Sequence, residues 1–252
     1  MFTRDTDNLP SPVASLSESP ADIAQQEEEI IALFEGISKP VPDRLITASD
    51  IIRRATQQAP RRASNCTDLF TTLLNTHSAS ITENAYRAIY TVTEVTPKLT
   101  HDLLTEILKS LRSTPDTNPH SKAEVIAAVA HVSDKPESDT PISEFDSLFA
   151  KLLKHGDKVV QVEIAGKVGT IVAQKPSRWA FTLDALSTVL ESSSAKVRLE
   201  AGRSLALLAE QNPTALDDWG ETHSQVLNFR ADPEIPDKEA QTIASVIGEQ
   251  VQ

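Results

Sequence analysis

Four arginines lie within ten residues of a chain that is otherwise acidic. Arg53, Arg54, Arg61 and Arg62 form a local basic patch, and guanidinium groups bind carboxylates or phosphates through paired hydrogen bonds. The whole chain has 24 Lys and Arg residues against 36 Asp and Glu residues, a formal charge of −12. That balance disfavours a general binder of nucleic acid or of membrane surfaces. Neutralisation of a helix C-terminus, or pairing with Glu27–Glu29, accounts for the patch without a ligand.

The other residue types that carry out catalysis or bind metals are scattered. No two of the six histidines are spaced i, i+3 or i, i+4, so no single helix offers two zinc ligands. Cys66 is the only cysteine, which excludes an internal disulfide and a cysteine-cluster metal site. It has no base near it in sequence and is interpreted as a small apolar residue at a helix start. The sequence therefore predicts no catalytic residue, no metal and no cofactor.

Two further sequence patterns are similar to functional motifs, but structural roles explain them more simply. The segment AGKVGT (165–170) is similar to part of a phosphate-binding loop, but that motif needs a glycine five residues before its Gly-Lys pair. Gln161 stands there instead. Gly166 and Gly169 indicate close packing between helices. Asp217 and Asp218 are interpreted as acids in the first turn of a helix, where the helix dipole favours them.

The composition favours a helical protein with an aliphatic core. The 252 residues include seven glycines and only 4% aromatics, which disfavours architectures built from sheets and tight turns. No apolar run reaches the ~18 residues of a membrane span. The first twenty residues lack the apolar stretch of a secretory signal. We therefore expect a cytoplasmic protein with no membrane segment.

Prolines recur at a regular interval along the chain, each after an amphipathic helical pattern. Pro60, Pro97, Pro136, Pro176 and Pro213 are spaced by 37, 39, 40 and 37 residues. Regular periods of this length are typical of solenoids built from helix pairs. The repeat predicts about five such pairs.

The segments that precede these prolines share one apolar register, which predicts the second helix of each pair. Its steps of three and four residues follow one face of an α-helix. The predicted core positions are Ala48, Ile52 and Ala55; Ile81, Ala85, Ile89 and Val92; Val125, Val129 and Val132; Val160, Ile164, Val168 and Ile171; and Val197, Ala201, Leu205 and Leu208.

A second amphipathic pattern comes before each of these helices and predicts the first helix of each pair. The predicted ranges are 68–75, 102–111, 142–153, 179–190 and 216–229, and a closing helix follows at 238–251. Ser80 with Glu83 forms the pattern of a capping box. Trp179 and Trp219 begin first helices and are expected to fill the space between repeats.

The first residues differ in composition from the repeats. Residues 1–18 are rich in Ser, Pro, Asp and Thr without periodicity, which predicts a disordered tail. Ser19 followed by Pro20 and Asp22 predicts a helix start, and Gly36 and Pro40 predict its end. The expected organisation is a tail at 1–18 and a single helical-repeat domain at 19–252.

The later repeats resemble HEAT repeats. The segment SSSAKVRLEAGRSLALLAEQNPTAL (192–216) is similar to the second half of such a repeat, with Val197, Arg198, Ala201 and Pro213 in place. The segment HGDKVVQVEIAGKVGTIVAQKP (155–176) has the same form, although Gln161 stands where Arg198 stands one repeat later. The resemblance implies an all-α fold, a right-handed α-α superhelix, and a scaffold that binds partners along its concave side.

In such arrays the second helices line the concave side, and the register then predicts which side chains face outward. These candidate contact residues are Arg54, Arg87, Glu124, Glu163, Lys167, Glu200 and Arg203. Their mixed charges favour a protein partner over a polyphosphate, so the expected function is non-enzymatic protein binding. The alternative rests on the arginine patch: HEAT-like DNA alkylation-damage glycosylases hold damaged duplex on a basic concave face.

Overall fold

The computed structural model describes residues 9–35, 37, 41–114, 116–133, 142–174, 176–216 and 219–251. All regular structure in these ranges is helical, so the predicted all-α class is confirmed. The chain divides into two compact units, Met1–Thr140 and Pro141–Gln252. Several predicted features lie outside the described residues: Gly36, Pro40, Pro136, Asp217 and Asp218.

The first unit contains nine α-helices within its described residues. They are α1 (Ser11–Ser15), α2 (Glu27–Phe34), α3 (Asp43–Gln58), α4 (Pro60–Ala63), α5 (Thr67–Leu74), α6 (Ala79–Thr93), α7 (Lys98–Asp102), α8 (Leu104–Ser113) and α9 (Pro119–Ser133). The long helices α3, α6 and α9 are the predicted second helices. They pack side by side in that order, while α2 packs on α5 and α5 contacts α8.

The second unit repeats this arrangement with six α-helices in its described part. They are α10 (Ile142–His155), α11 (Lys158–Gln174), α12 (Ala180–Thr188), α13 (Ala195–Gln211), α14 (Trp219–Leu227) and α15 (Asp237–Gly248). The second helices α11, α13 and α15 pack in series. The first helices α10 and α12 form a separate row, and α14 packs on α15.

The apolar register predicted for the second helices is confirmed. The predicted core residues of α3, α6, α9 and α13 are all at most 2% exposed. On α11, Val160, Ile164 and Ile171 are buried, and the side chain of Val168 lies outside the described residues. A stripe of aliphatic side chains spaced by three and four residues therefore faces the core of each unit, as a buried amphipathic helix requires.

The start of the ordered chain differs from the sequence expectation. Helix α1 lies within the segment predicted to be a disordered tail, and Val13 and Leu16 are buried; residues 1–8 lie outside the described residues. Residues Pro20–Ala24 form a 3-10 turn rather than the first turn of an α-helix, and Ser19 makes no side-chain cap. The segment has few apolar residues and no periodicity, so its composition predicted disorder. Its order depends on the burial of those few side chains in the folded protein, which composition does not reveal.

Close approach of α11 and α13 explains Gly169. A Cβ added there would lie 2.6 Å from the Cα of Ser204, whereas one added to Gly166 would meet only the end of the Glu200 side chain, 3.0 Å from Oε2. The hydroxyl of Ser204 donates a hydrogen bond to the carbonyl of Ala165 across the same contact. The interpretation as a packing residue is confirmed for Gly169, and the helical setting of both glycines excludes the phosphate-loop alternative.

One of the two tryptophans fills the space between consecutive first helices. Trp179, at the N-terminus of α12, is buried and stacks on Phe149 of α10 with ring centroids 5.8 Å apart. Phe149 in turn contacts Phe145 at 5.7 Å. The prediction for Trp179 is confirmed, and the side chain of Trp219 lies outside the described residues.

Acidic side chains of one repeat cap the N-terminus of a helix in the next. Glu27 of α2 accepts a hydrogen bond from the backbone N–H of Leu69 in α5 at 3.1 Å. Glu83 of α6 accepts from the N–H of Asn118, just before α9, at 2.7 Å. The capping box predicted for Ser80 and Glu83 is therefore wrong: α6 begins at Ala79 after Ser78, and Glu83 reaches forward because α9 brings an unpaired N–H close to it.

Replacement of Glu27 by Gln is expected to make stability less dependent on pH. Burial raises the pKa of Glu27 above its ordinary 4.5; the Leu69 hydrogen bond opposes this, and the charges of Asp68 and Glu28 add to it. Wild type should lose stability relative to Glu27→Gln as the pH rises from below 4.5 through the raised pKa. Solvent screening limits the difference to less than about 1 kcal/mol.

Urea denaturation of both proteins at about pH 3 and about pH 7 measures this difference. The substitution Glu29→Gln, at an exposed position on the same helix, controls for the loss of one negative charge. A Glu27→Gln variant that differs from wild type equally at both pH values would show that the folded state does not perturb this carboxyl group.

Candidate functional site

The outward side of the second helices in the first unit carries three of the predicted contact residues. The side chains of Arg54 on α3, Arg87 on α6 and Glu124 on α9 are 39%, 39% and 38% exposed. All three lie away from the buried aliphatic stripe of their own helix. We name the outward side of α3, α6 and α9 the second-helix face of the first unit. The outward side of α11, α13 and α15 is the second-helix face of the second unit.

Polar contacts join neighbouring helices across this face in the first unit. Arg87 Nε donates to Ser121 Oγ at 3.0 Å and lies 3.6 Å from a carboxylate oxygen of Glu124. Between α6 and α3, Asn84 Nδ2 donates to Ser49 Oγ at 2.9 Å. Arg87 and Glu124 therefore link α6 to α9 while they remain partly accessible to solvent.

The second unit shows the same arrangement with a second arginine. Arg203 on α13 lies 2.5 Å from Glu200 on its own helix and pairs with Glu239 on α15. Burial lowers the pKa of Arg203, but the carboxylates of Glu200 and Glu239 outweigh it and raise that pKa. Glu239 was not among the predicted residues, although its spacing of 36 residues from Arg203 is close to the repeat length.

Glu163 and Lys167 differ from these paired residues. Both lie on α11, Lys167 is exposed and Glu163 is half-buried, and neither forms an ion pair within the part of the chain that the structure describes. Both lie on the second-helix face of the second unit. Another molecule can therefore pair with them without breaking an ion pair among the described residues.

Arg198, which carries the resemblance to HEAT repeats, has a structural role. Its guanidinium forms an ion pair with Asp232 in the loop before α15 and donates to the carbonyl of Ser192. Gln161, at the matching position of α11, is buried and donates instead to the carbonyl of Leu153. The departure in sequence thus replaces a link between repeats with a contact to the preceding helix.

The arginine patch has a different internal partner from the one expected. Asp50 lies 2.5 Å from Arg53 Nη2 and 2.7 Å from Arg54 Nη2, whereas the carboxylate of Glu27 serves α5. The alternative in which Glu27–Glu29 neutralise the patch is therefore wrong for the ion pairs of Arg53 and Arg54. Arg61 and Arg62 on α4 are exposed and form no ion pair with any described residue.

The buried thiol of Cys66 has a raised pKa. Burial raises the pKa of the Cys66 thiol to about 12, and the charge of Glu27 adds to this effect. The thiol therefore stays protonated and poorly nucleophilic at neutral pH. Among the described residues, no three His, Cys, Asp or Glu side chains are grouped so that they can hold a metal ion. In the same ranges, no helix has the length and apolar character that crossing a bilayer requires.

Comparison with solved structures supports the helical fold. An engineered protein solved by the Northeast Structural Genomics Consortium matches 98% of this chain and 98% of its own, with a TM-score of 0.57 and 19% identity. A second engineered protein from the same consortium matches 95% of this chain and 67% of its own, with a TM-score of 0.67 and 18% identity. No protein-family model matches the chain, and no curated protein matches its sequence.

Proposed function

We propose that the chain is a HEAT-type helical-repeat scaffold, the right-handed superhelix that the sequence predicts, and that it binds a protein partner along the second-helix face without catalysing a reaction. One observation carries the proposal: in both units, successive long helices share an aliphatic core and leave rows of charged side chains on their outward side. A rigid row of this kind presents charges at defined spacings, which favours electrostatic recognition of a partner.

The mixture of charges on this face supports a protein as the partner. The cations Arg54, Arg87, Lys167 and Arg203 are interspersed with the anions Glu124, Glu163 and Glu200, and the whole chain carries −12. A polyphosphate would meet carboxylates as often as guanidinium groups, and both local and overall fields would oppose it. A protein surface with both signs of charge fits the same pattern.

Glu163 and Lys167 offer the cleanest test of this proposal. A reversal of Arg87 or Arg203 would also break internal pairs with Glu124 or Glu239, so binding and folding would change together. The double variant Glu163→Lys with Lys167→Glu keeps the net charge and disturbs no ion pair of the described residues. Like charges brought together across an interface cost several kcal/mol, so we expect partner capture to fall by at least about tenfold.

The experiment immobilises the full chain, captures proteins from a lysate of the native host and quantifies them by mass spectrometry. The matched control is Glu94→Lys with Lys98→Glu, an equivalent swap at two exposed positions four residues apart, just after α6 and at the start of α7. Neither residue forms an ion pair with another described residue. One stoichiometric partner, retained by wild type and control but lost by the Glu163/Lys167 variant, would support the proposal. Unchanged capture by that variant would overturn the assignment of the face. Retention on duplex DNA that falls steeply with salt would favour the glycosylase-like alternative.

A further inference from the structure

The junction of α3 and α4 carries four arginines with few ion-pair partners among the described residues. The four arginines of the patch have one carboxylate, Asp50, as their ion-pair partner, and it serves only Arg53 and Arg54. The junction therefore has a local excess of three positive charges in a chain of net charge −12. Such an excess on an acidic protein calls for a physical reason.

Helix termination does not require these arginines. The N–H of Ala59 donates to the carbonyl of Ala55 at 2.9 Å and closes α3, while the N–H groups of Arg62 and Ala63 donate to the carbonyl of Ala59 at 3.0 and 3.1 Å. The backbone thus satisfies the turn by itself. The side chains of Arg61 and Arg62 are left exposed, and they contribute no cap to either helix.

The backbone that carries Arg61 and Arg62 is firmly held. Ala63 and Cys66 on either side of the following turn are both 0% exposed. Ser64 Oγ also donates to the carbonyl of Arg61 at 2.8 Å. Because the backbone is already ordered, binding would have to order only the two side chains, which limits the entropy cost of binding.

We propose that Arg61 and Arg62 bind a short acidic segment of a partner protein. Each guanidinium offers two parallel N–H donors that match the two oxygens of a carboxylate. This site is separate from the proposed contacts of Glu163 and Lys167, and its test does not depend on theirs.

The surroundings of the patch favour a short peptide over a nucleic acid. The 3-10 turn that packs against α4 carries Asp22, and α5, which follows α4, carries the exposed Asp68. A long polyanion that extends past the arginines meets these carboxylates and the negative field of the whole chain. A peptide that covers only a few residues avoids them.

The test measures binding of a fluorescein-labelled oligo-glutamate of about four residues to the full chain by fluorescence anisotropy, at about 50 mM and about 200 mM salt. We expect saturable binding that weakens with salt, and a loss of at least about tenfold in the double variant Arg61→Glu with Arg62→Glu. The matched control is Arg178→Glu with Arg230→Glu, two exposed arginines of the second unit. It should bind within about threefold of wild type.

Three results would overturn the proposal: no binding of the peptide to wild type, an equal loss in both double variants, or tighter binding of a duplex DNA of about ten base pairs at the same salt. Far-ultraviolet circular dichroism checks the fold of each variant. If charge reversal unfolds the chain, Arg61→Gln with Arg62→Gln replaces it, because the amides keep the chain length similar and remove both charges.

Discussion

The substitution Leu205→Ala is expected to lower the free energy of unfolding by about 2–5 kcal/mol. Leu205 lies in the middle of α13 and is 0% exposed. Its helix packs against α11 on one side and α15 on the other, so the neighbouring backbones cannot easily close the cavity that the smaller side chain leaves. Urea denaturation followed by circular dichroism measures the change.

The matched control for this prediction is Leu227→Ala, which removes the same atoms from a leucine that is 39% exposed at the end of α14. We expect it to cost about 1 kcal/mol or less, since a partly solvated side chain loses less on truncation. If Leu205→Ala cost no more than this control, the assignment of the buried stripe on α13 would be wrong.

Asp146→Ala is expected to destabilise the chain by about 3 kcal/mol. Asp146 on α10 is buried, and its carboxylate accepts hydrogen bonds from the N–H groups of Phe181 and Thr182 at 3.1 and 2.7 Å and from the hydroxyl of Thr182 at 2.6 Å. Alanine would leave the N–H groups of Phe181 and Thr182 without this acceptor, while the hydroxyl of Thr182 keeps the backbone carbonyl of residue 146 at 3.2 Å. The cost of buried unpaired donors exceeds the value of the bonds themselves.

Two further variants separate this cap from the general loss of a charge. Asp184→Ala removes an acid from α12 whose side chain is 71% exposed and paired with Lys154, and it should change stability by less than about 0.5 kcal/mol. Thr182→Val removes one of the donors, so the double variant with Asp146→Ala should cost less than the sum of the single changes. Additive costs would show that Asp146 does not act through Thr182.

The sequence alone determined the helical class, the positions of the second helices and their buried faces. The apolar steps of three and four residues made the stripe of Val197, Ala201, Leu205 and Leu208 visible without any structure, because a helix that buries one face must repeat in this way. Gly169 was interpreted correctly for a related reason: within a periodic helical pattern, a glycine indicates close packing of helices rather than a turn.

The tertiary structure decided which polar groups meet. Glu239, Asp232, Asp50 and Asp146 were not anticipated as partners of Arg203, Arg198, Arg54 and α12. Except for Asp50, these partners lie on another helix or loop, 34 to 36 residues along the chain. Apolar burial depends only on which face of a helix points inward, and the pattern of residue types contains that information. A hydrogen bond or ion pair depends on the offset between packed helices to within about 1 Å, and only the packed core sets that offset.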